Sequence, residues 1–98
     1  MSDKGSIEFE WDEAKNLANI RKHRIDFADV PKMFDEPMSI ELDSRIGYGE
    51  DRWVGAGFLL SGIAVVVWTE RLGKTIRIIS ARKANRYERK QFEKYLKN

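Results

Sequence analysis

The chain has 98 residues, 35% of them charged, with a formal net charge of +2, one histidine and no cysteine, a size that supports one domain over residues 1–98 with a modest core and a flexible polar start at 1–6. Without cysteine there is neither a disulfide framework nor a thiolate metal site, and a lone histidine argues against structural zinc, so no metal and no cofactor is expected. The longest apolar run, residues 63–68, has the length of a strand rather than the roughly 20 residues of a membrane span, and no secretory h-region opens the chain, so a cytoplasmic protein without a membrane partner is expected.

Residues 7–11 alternate apolar and acidic side chains, the pattern of a short strand. Asp12 offers the carboxylate that caps a helix start. Ala14, Leu17, Ala18 and Ile20 then fall on one helical stripe ending near His23, which makes that stripe the expected buried face of a first helix. Asp26 or Asp29 opens a second, shorter helix carrying Val30, Met33 and Phe34. Pro31 must lie in its first turn or kink it, and Pro37 closes it. Residues 38–43 read as a strand, 44–51 as a polar loop, and 52–60, 63–71 and 75–81 as three strands joined by turns short enough for antiparallel hairpins. Asn85 with Glu88 three positions on is a capping box for a last helix. Its inner face is Phe92, Tyr95 and Leu96, and its outer face is Arg86, Arg89, Lys90, Lys94 and Lys97. This order predicts an α+β fold, with helices on one face of a largely antiparallel sheet.

The small net charge hides an asymmetry. Residues 35–51 hold six acids and one base, while residues 71–98 hold ten bases and two acids. A basic segment of that weight suits an anionic partner, a nucleic acid or an acidic protein, or else is a solvated surface. No glycine-rich phosphate loop, nucleophile elbow or metal-binding histidine pair occurs. Arginine stands out instead: Arg77 between Ile76 and Ile78, Arg82 and Lys83 at the end of that strand, Arg86 at the helix start. A guanidinium fork donates two parallel hydrogen bonds to phosphate, so a continuing strand makes one concave surface of Arg77 and the residues at even steps from it. The alternative is ion pairing with Glu50, Asp51, Glu70 and Glu88. His23 is either a helix-end residue bonded to the last carbonyls or a general acid–base. Trp11, Trp53, Trp68 and the phenylalanines read as core, whereas Tyr48 reads as exposed and mobile, able to stack on a nucleotide or on another protein chain.

Two blocks of residues go further. The first is Glu10, Trp11, Asp12, Glu13, Ala14, Lys15 and Asn16, followed by Asn19, Ile20, Arg21, Lys22 and His23, then Ile25, Phe27 and Phe34. The second is Thr69, Glu70 and Arg71, then the run 76–84, then Glu88 and Arg89. Between them Glu50, Asp51, Arg52, Trp53 and Gly57 fit a middle strand. Over residues 9–95 this pattern resembles the BrnT toxins, departing from them in a longer loop at 44–50 and in Pro31. The resemblance implies a RelE-like fold, a largely antiparallel sheet with two N-terminal helices and a C-terminal helix. It also implies an RNA-cleaving toxin of a type II toxin–antitoxin module that inhibits translation and arrests growth. The implied partners are an RNA substrate and a BrnA-type ribbon-helix-helix antitoxin, with operator DNA reached only through the antitoxin.

On that reading the chemistry is metal-independent endoribonuclease cleavage, in which a ribose 2′-hydroxyl attacks the adjacent phosphorus. This needs a base, cationic donors for the phosphoryl oxygens and an acid for the leaving oxygen. Arg77 and Arg82, with Arg52 as a third, are the candidates for phosphate stabilisation. Glu50 or His23 is the candidate base or acid, and Ser80 can orient the phosphate. Lys22, Arg71, Lys83, Arg86, Arg89 and Lys90 are candidates for contacts with RNA or antitoxin. The competing class is a non-catalytic RNA- or protein-binding module acting with its antitoxin as a co-repressor.

Overall fold

The computed structural model describes residues 7–43 and 49–98; Tyr48 lies outside them. These residues form β1 (Glu8–Glu10), α1 (Glu13–His23), a 3-10 helix (Phe27–Asp35), β2 (Met38–Asp43), β3 (Arg52–Leu59), β4 (Gly62–Arg71), β5 (Thr75–Lys83) and α2 (Arg86–Lys97). The strands make one sheet in the order β1-β5-β4-β3-β2. Its pairs are antiparallel except β1 with β5, which run parallel. The α+β class and largely antiparallel sheet expected from the sequence are those observed. No helix among the described residues is long and apolar enough to cross a membrane.

One face of the sheet carries the main core. Ala64, Val66 and Trp68 of β4 and Ile76, Ile78 and Ala81 of β5 pack with Ile25 and with Phe27, Val30 and Met33 of the 3-10 helix. Phe34 stands edge-on to the Trp68 ring, centroids 4.9 Å apart. The Trp68 indole needs room on the neighbouring strand. A Cβ at Gly55 would meet it at 2.8 Å and Met38 at 2.7 Å, so the close approach requires glycine there.

The second helix differs from its expectation in type. Pro31 has no N–H for an α-helical bond, and the segment winds as a 3-10 helix with three-residue bonds such as Asp29 N to Asp26 O at 3.0 Å and Glu36 N to Met33 O at 3.2 Å. Asp26 caps it, accepting from Ala28 N at 2.9 Å. In α1 the expected face is overturned. Ala14 and Ala18 are exposed and Leu17 is 50% exposed, while Asn16 and Asn19 are buried. The cause is backbone polarity: the turn after α1 and the middle of β5 leave interior N–H and C=O groups that an apolar side chain cannot satisfy. Asn19 Nδ2 donates to Ile25 O at 3.0 Å and Ala81 O at 2.9 Å, and its Oδ1 accepts from Ala81 N at 3.2 Å. Asn16 Oδ1 accepts from Phe27 N at 2.8 Å, and its Nδ2 donates to Asp26 Oδ1 at 3.0 Å.

The expectation that all helices share one face is also corrected. α1 and the 3-10 helix cover the core face, whereas α2 covers one end of the opposite face. There Phe92 is buried and meets Phe58 edge-on at 5.1 Å. The opposite face also carries apolar residues, Val54, Ala56 and Phe58 of β3 and Val65 of β4, and these need cover of their own. Of the expected inner residues of α2 only Phe92 is buried; Tyr95 and Leu96 remain exposed.

Candidate active site

A β-bulge sets which side chains of β5 share a face. Trp68 pairs with Ile78 but Val67 pairs with Ser80, leaving Ile79 as the extra residue. Simple alternation from Arg77 would send Arg82 to the core. With the bulge, Ile76, Ile78 and Ala81 are buried in the core, and Arg77, Ser80 and Arg82 are carried on the opposite face.

Arg77 is level with Glu10 on β1 and with Thr69 on β4. One step beyond the Trp53–Trp68 pair, Arg52 continues the line on β3 and is level with Asp43 on β2. A charged row therefore crosses the sheet: Glu10, Arg77, Thr69, Arg52, Asp43. At the usual strand spacing of ~4.8 Å the two arginines stand about 10 Å apart at the backbone. α2 covers the far end of this face, and the row stays partly open, with the Arg77 side chain 40% exposed.

Within the row, Glu10 Oε2 accepts from Arg77 Nη1 at 3.0 Å and also from Arg71 Nη1, which reaches in from the end of β4. Two guanidiniums on one carboxylate leave the triad with one net positive charge. The hydrogen bonds from Arg77 and then Arg71 hold the Glu10 carboxyl below its ordinary value against the opposing pull of desolvation. Thr69 Oγ1 donates to Asp51 O at 2.7 Å, fastening the residue before Arg52. Glu50 Oε2 lies 3.5 Å from Arg52 Nε.

Arg82 is elsewhere. It sits four register pairs along from Thr69, level with Val65, and its fork is occupied by Glu88, with Nη1 to Oε1 and Nη2 to Oε2 both at 2.8 Å. The same Glu88 closes the expected capping box, accepting from Asn85 N while Asn85 Oδ1 accepts from Glu88 N, each at 2.8 Å. One carboxylate thus ties β5 to the start of α2. The Arg82 guanidinium, chiefly, pushes the Glu88 carboxyl down to about 2, and the pair raises Arg82 in turn. A depressed carboxyl contributes stability that is present above its unfolded value near 4.5 and lost as pH falls towards about 2. Thermal melts of wild type and Glu88→Gln are expected to differ most near neutral pH and to converge between pH 4.5 and 2. A gap independent of pH would mean the ion pair contributes nothing.

The remaining candidates are dispersed. Ser80 shares the face of Arg77, level with Val67. His23 ends α1 on the core-side layer, and the residues after it, Arg24 and Ile25, border Lys83 and Ala84 at the end of β5 remote from Arg77. It is therefore not brought to the arginines. Lys22 is exposed on α1, Lys83 ends β5, and Arg86, Arg89 and Lys90 are exposed on α2. Among the described residues no group of three or more His, Asp or Glu side chains is placed to hold a metal ion. The residues missed as site candidates are Glu10 and Thr69. Alternation over 7–11 already opposes Glu10 to the core residue Phe9, but nothing in the sequence shows that β1 lies beside β5.

Residues 11–88 match a family model described as the ribonuclease toxin BrnT of type II toxin–antitoxin systems. Among solved structures, that of the Brucella abortus ribonuclease toxin BrnT is similar, with a TM-score of 0.65 and 28% sequence identity, covering 83% of this chain and 100% of that one. No curated protein matches the chain.

Proposed function

Because the chain belongs to the BrnT family of ribonuclease toxins of type II toxin–antitoxin systems, we propose that it arrests growth by cleaving RNA at the charged row, by 2′-hydroxyl attack and without a metal. The observation that carries this reading is the alignment of Arg77 and Arg52 on one partly open sheet face, with Arg71 beside them. Guanidinium groups fixed on strands hold their donors where charge develops on the phosphoryl oxygens, the arrangement that lowers such barriers most. Arg77 and Arg52 hold the scissile phosphate, and Ser80 orients the strand beyond it. Arg82, gripped by Glu88, supports the site by fixing β5 to α2. Glu50, beside Arg52, is better placed than His23 to exchange protons there.

The architecture is read as RelE-like, with α1 and the 3-10 helix before the strand meander and α2 after it. The partner is a BrnA-type ribbon-helix-helix antitoxin, which carries the complex to operator DNA. The exposed basic residues Arg86, Arg89 and Lys90 on α2 suit an acidic segment of that antitoxin, with Lys22 and Lys83 left for RNA backbone.

The test is expression alone in bacteria, expected to stop growth, with relief by the neighbouring gene of the operon and no arrest by Arg77→Ala. Purified protein is expected to cleave RNA equally in magnesium and in EDTA. Normal growth at a verified level of folded protein, with no RNA cleaved, would leave the co-repressor reading in its place.

A further inference from the structure

We infer that Glu10 is the general base of this site, taking the proton from the attacking 2′-hydroxyl. The inference rests on the proposed RNA-cleaving role of the row and adds a catalytic residue to it.

Three observations carry it. First, Glu10 is the carboxylate that the sheet sets level with Arg77. It stands on a strand, and strand positions hold a reactive group more narrowly than loops do; Glu50, by contrast, precedes β3. Second, both arginines bind the same oxygen, Oε2. Oε1 has no protein partner among the described residues and is free to receive a proton. Third, Arg77 spends one donor on Glu10 out of five. A phosphodiester on its remaining donors is held on the order of 5 Å from the Glu10 oxygen, the span set by two N–H···O bonds on one guanidinium. The 2′-hydroxyl next to a 3′-phosphate falls within that span, so one arginine places the base and the phosphate relative to each other.

The step balances. The 2′-hydroxyl gives its proton to Glu10 Oε1 as O2′ bonds to phosphorus. The P–O5′ bond breaks with its electron pair on O5′, which takes a proton from water. The products are a 2′,3′-cyclic phosphate and a 5′-hydroxyl, and Glu10 returns its proton to solvent. The low-lying carboxyl of Glu10 is ionised at neutral pH, as a base must be.

The competing role is structural, an ion triad that pins β1 to β5. The test uses the purified full chain and a labelled single-stranded RNA containing all sixteen dinucleotide steps. Glu10→Gln keeps the shape and a hydrogen-bond acceptor and is expected to lower kcat at least a hundredfold, with KM within about threefold. Glu10→Ala is expected to lose activity likewise and to recover at least tenfold in added formate, which enters the vacated space as a diffusible base. A purely structural role would be moved neither by formate nor selectively in kcat. Cleavage by Glu10→Gln at the wild-type rate, or inactivity of folded Glu10→Ala that formate leaves unchanged, overturns the inference. If Arg77→Ala is inactive while Glu10→Gln is active, the row stands as the site and only the base is wrong. If wild type leaves this RNA uncut, the cleavage reading falls, and the base assignment with it.

Discussion

Arg77→Ala is expected to lower RNA cleavage by two to three orders of magnitude while leaving a folded protein. Its guanidinium is proposed to contact the scissile phosphate directly, and removing one such transition-state donor costs about 3 kcal/mol in comparable sites. It is partly exposed and, among the described residues, its side chain bonds to Glu10 alone, so its loss opens no core cavity. Lysine keeps the charge but not the planar fork, and Arg77→Lys is expected to stay at least tenfold below wild type. Arg82→Ala makes the contrast. With both terminal nitrogens on Glu88, it is expected to lower the melting temperature and to change the cleavage rate of the folded fraction less than tenfold. Single-turnover cleavage rates, normalised by circular dichroism for the folded fraction, separate the two. Wild-type rates in Arg77→Ala would move the site off the row.

Asn19→Ala is expected to be the most destabilising single substitution of the α1 layer. The amide serves two carbonyls and one N–H that are out of reach of water: Ile25 O, Ala81 O and Ala81 N. Each buried group left unsatisfied costs about 1–3 kcal/mol, which sums to about 3–5 kcal/mol if part of the loss relaxes. That is a large share of the roughly 5–15 kcal/mol that holds a domain together. Asn19→Leu is expected to do no better, because apolar volume satisfies none of the three groups. Leu17→Ala, on the half-exposed neighbouring face, is expected to cost less than about 1 kcal/mol. Urea unfolding of the three variants is the measurement, and a loss below about 1 kcal/mol for Asn19→Ala would mean the amide is dispensable. The effect reaches function as well. Ala81 follows Ser80, where β5 resumes its pairing after the bulge at Ile79, so the same amide steadies the register that carries Ser80 and Arg82 to the face of Arg77.

The strands, the two capped helices and the α+β class were legible in the sequence because their causes are local. The strand-length apolar run at 63–68 and the short turns around it are properties of successive residues, and the capping box of Asn85 and Glu88 closes within one turn. The basic C-terminal third and the candidacy of Arg77 and Arg52 as anion-binding side chains were legible for the same reason, as residue types whose chemistry does not depend on the fold. The buried face of α1 was misread because apolarity is a guide only where no backbone group needs a partner. Asn16 and Asn19 go inside to serve the turn at Ile25 to Phe27 and the strand at Ala81, and Ala81 is 62 residues from Asn19 in the chain. The split between Arg77 and Arg82 and the arrival of Glu10 beside Arg77 were beyond reach for a related reason. One depends on a single bulged residue, and the other on a parallel pairing between the first strand and the last. The sequence by itself determined which segments become strands and helices and which residue types are available to bind an anion. Tertiary structure alone decided which of them meet, because cross-strand neighbours come from strand order and register, and these are set by the packing of the whole chain.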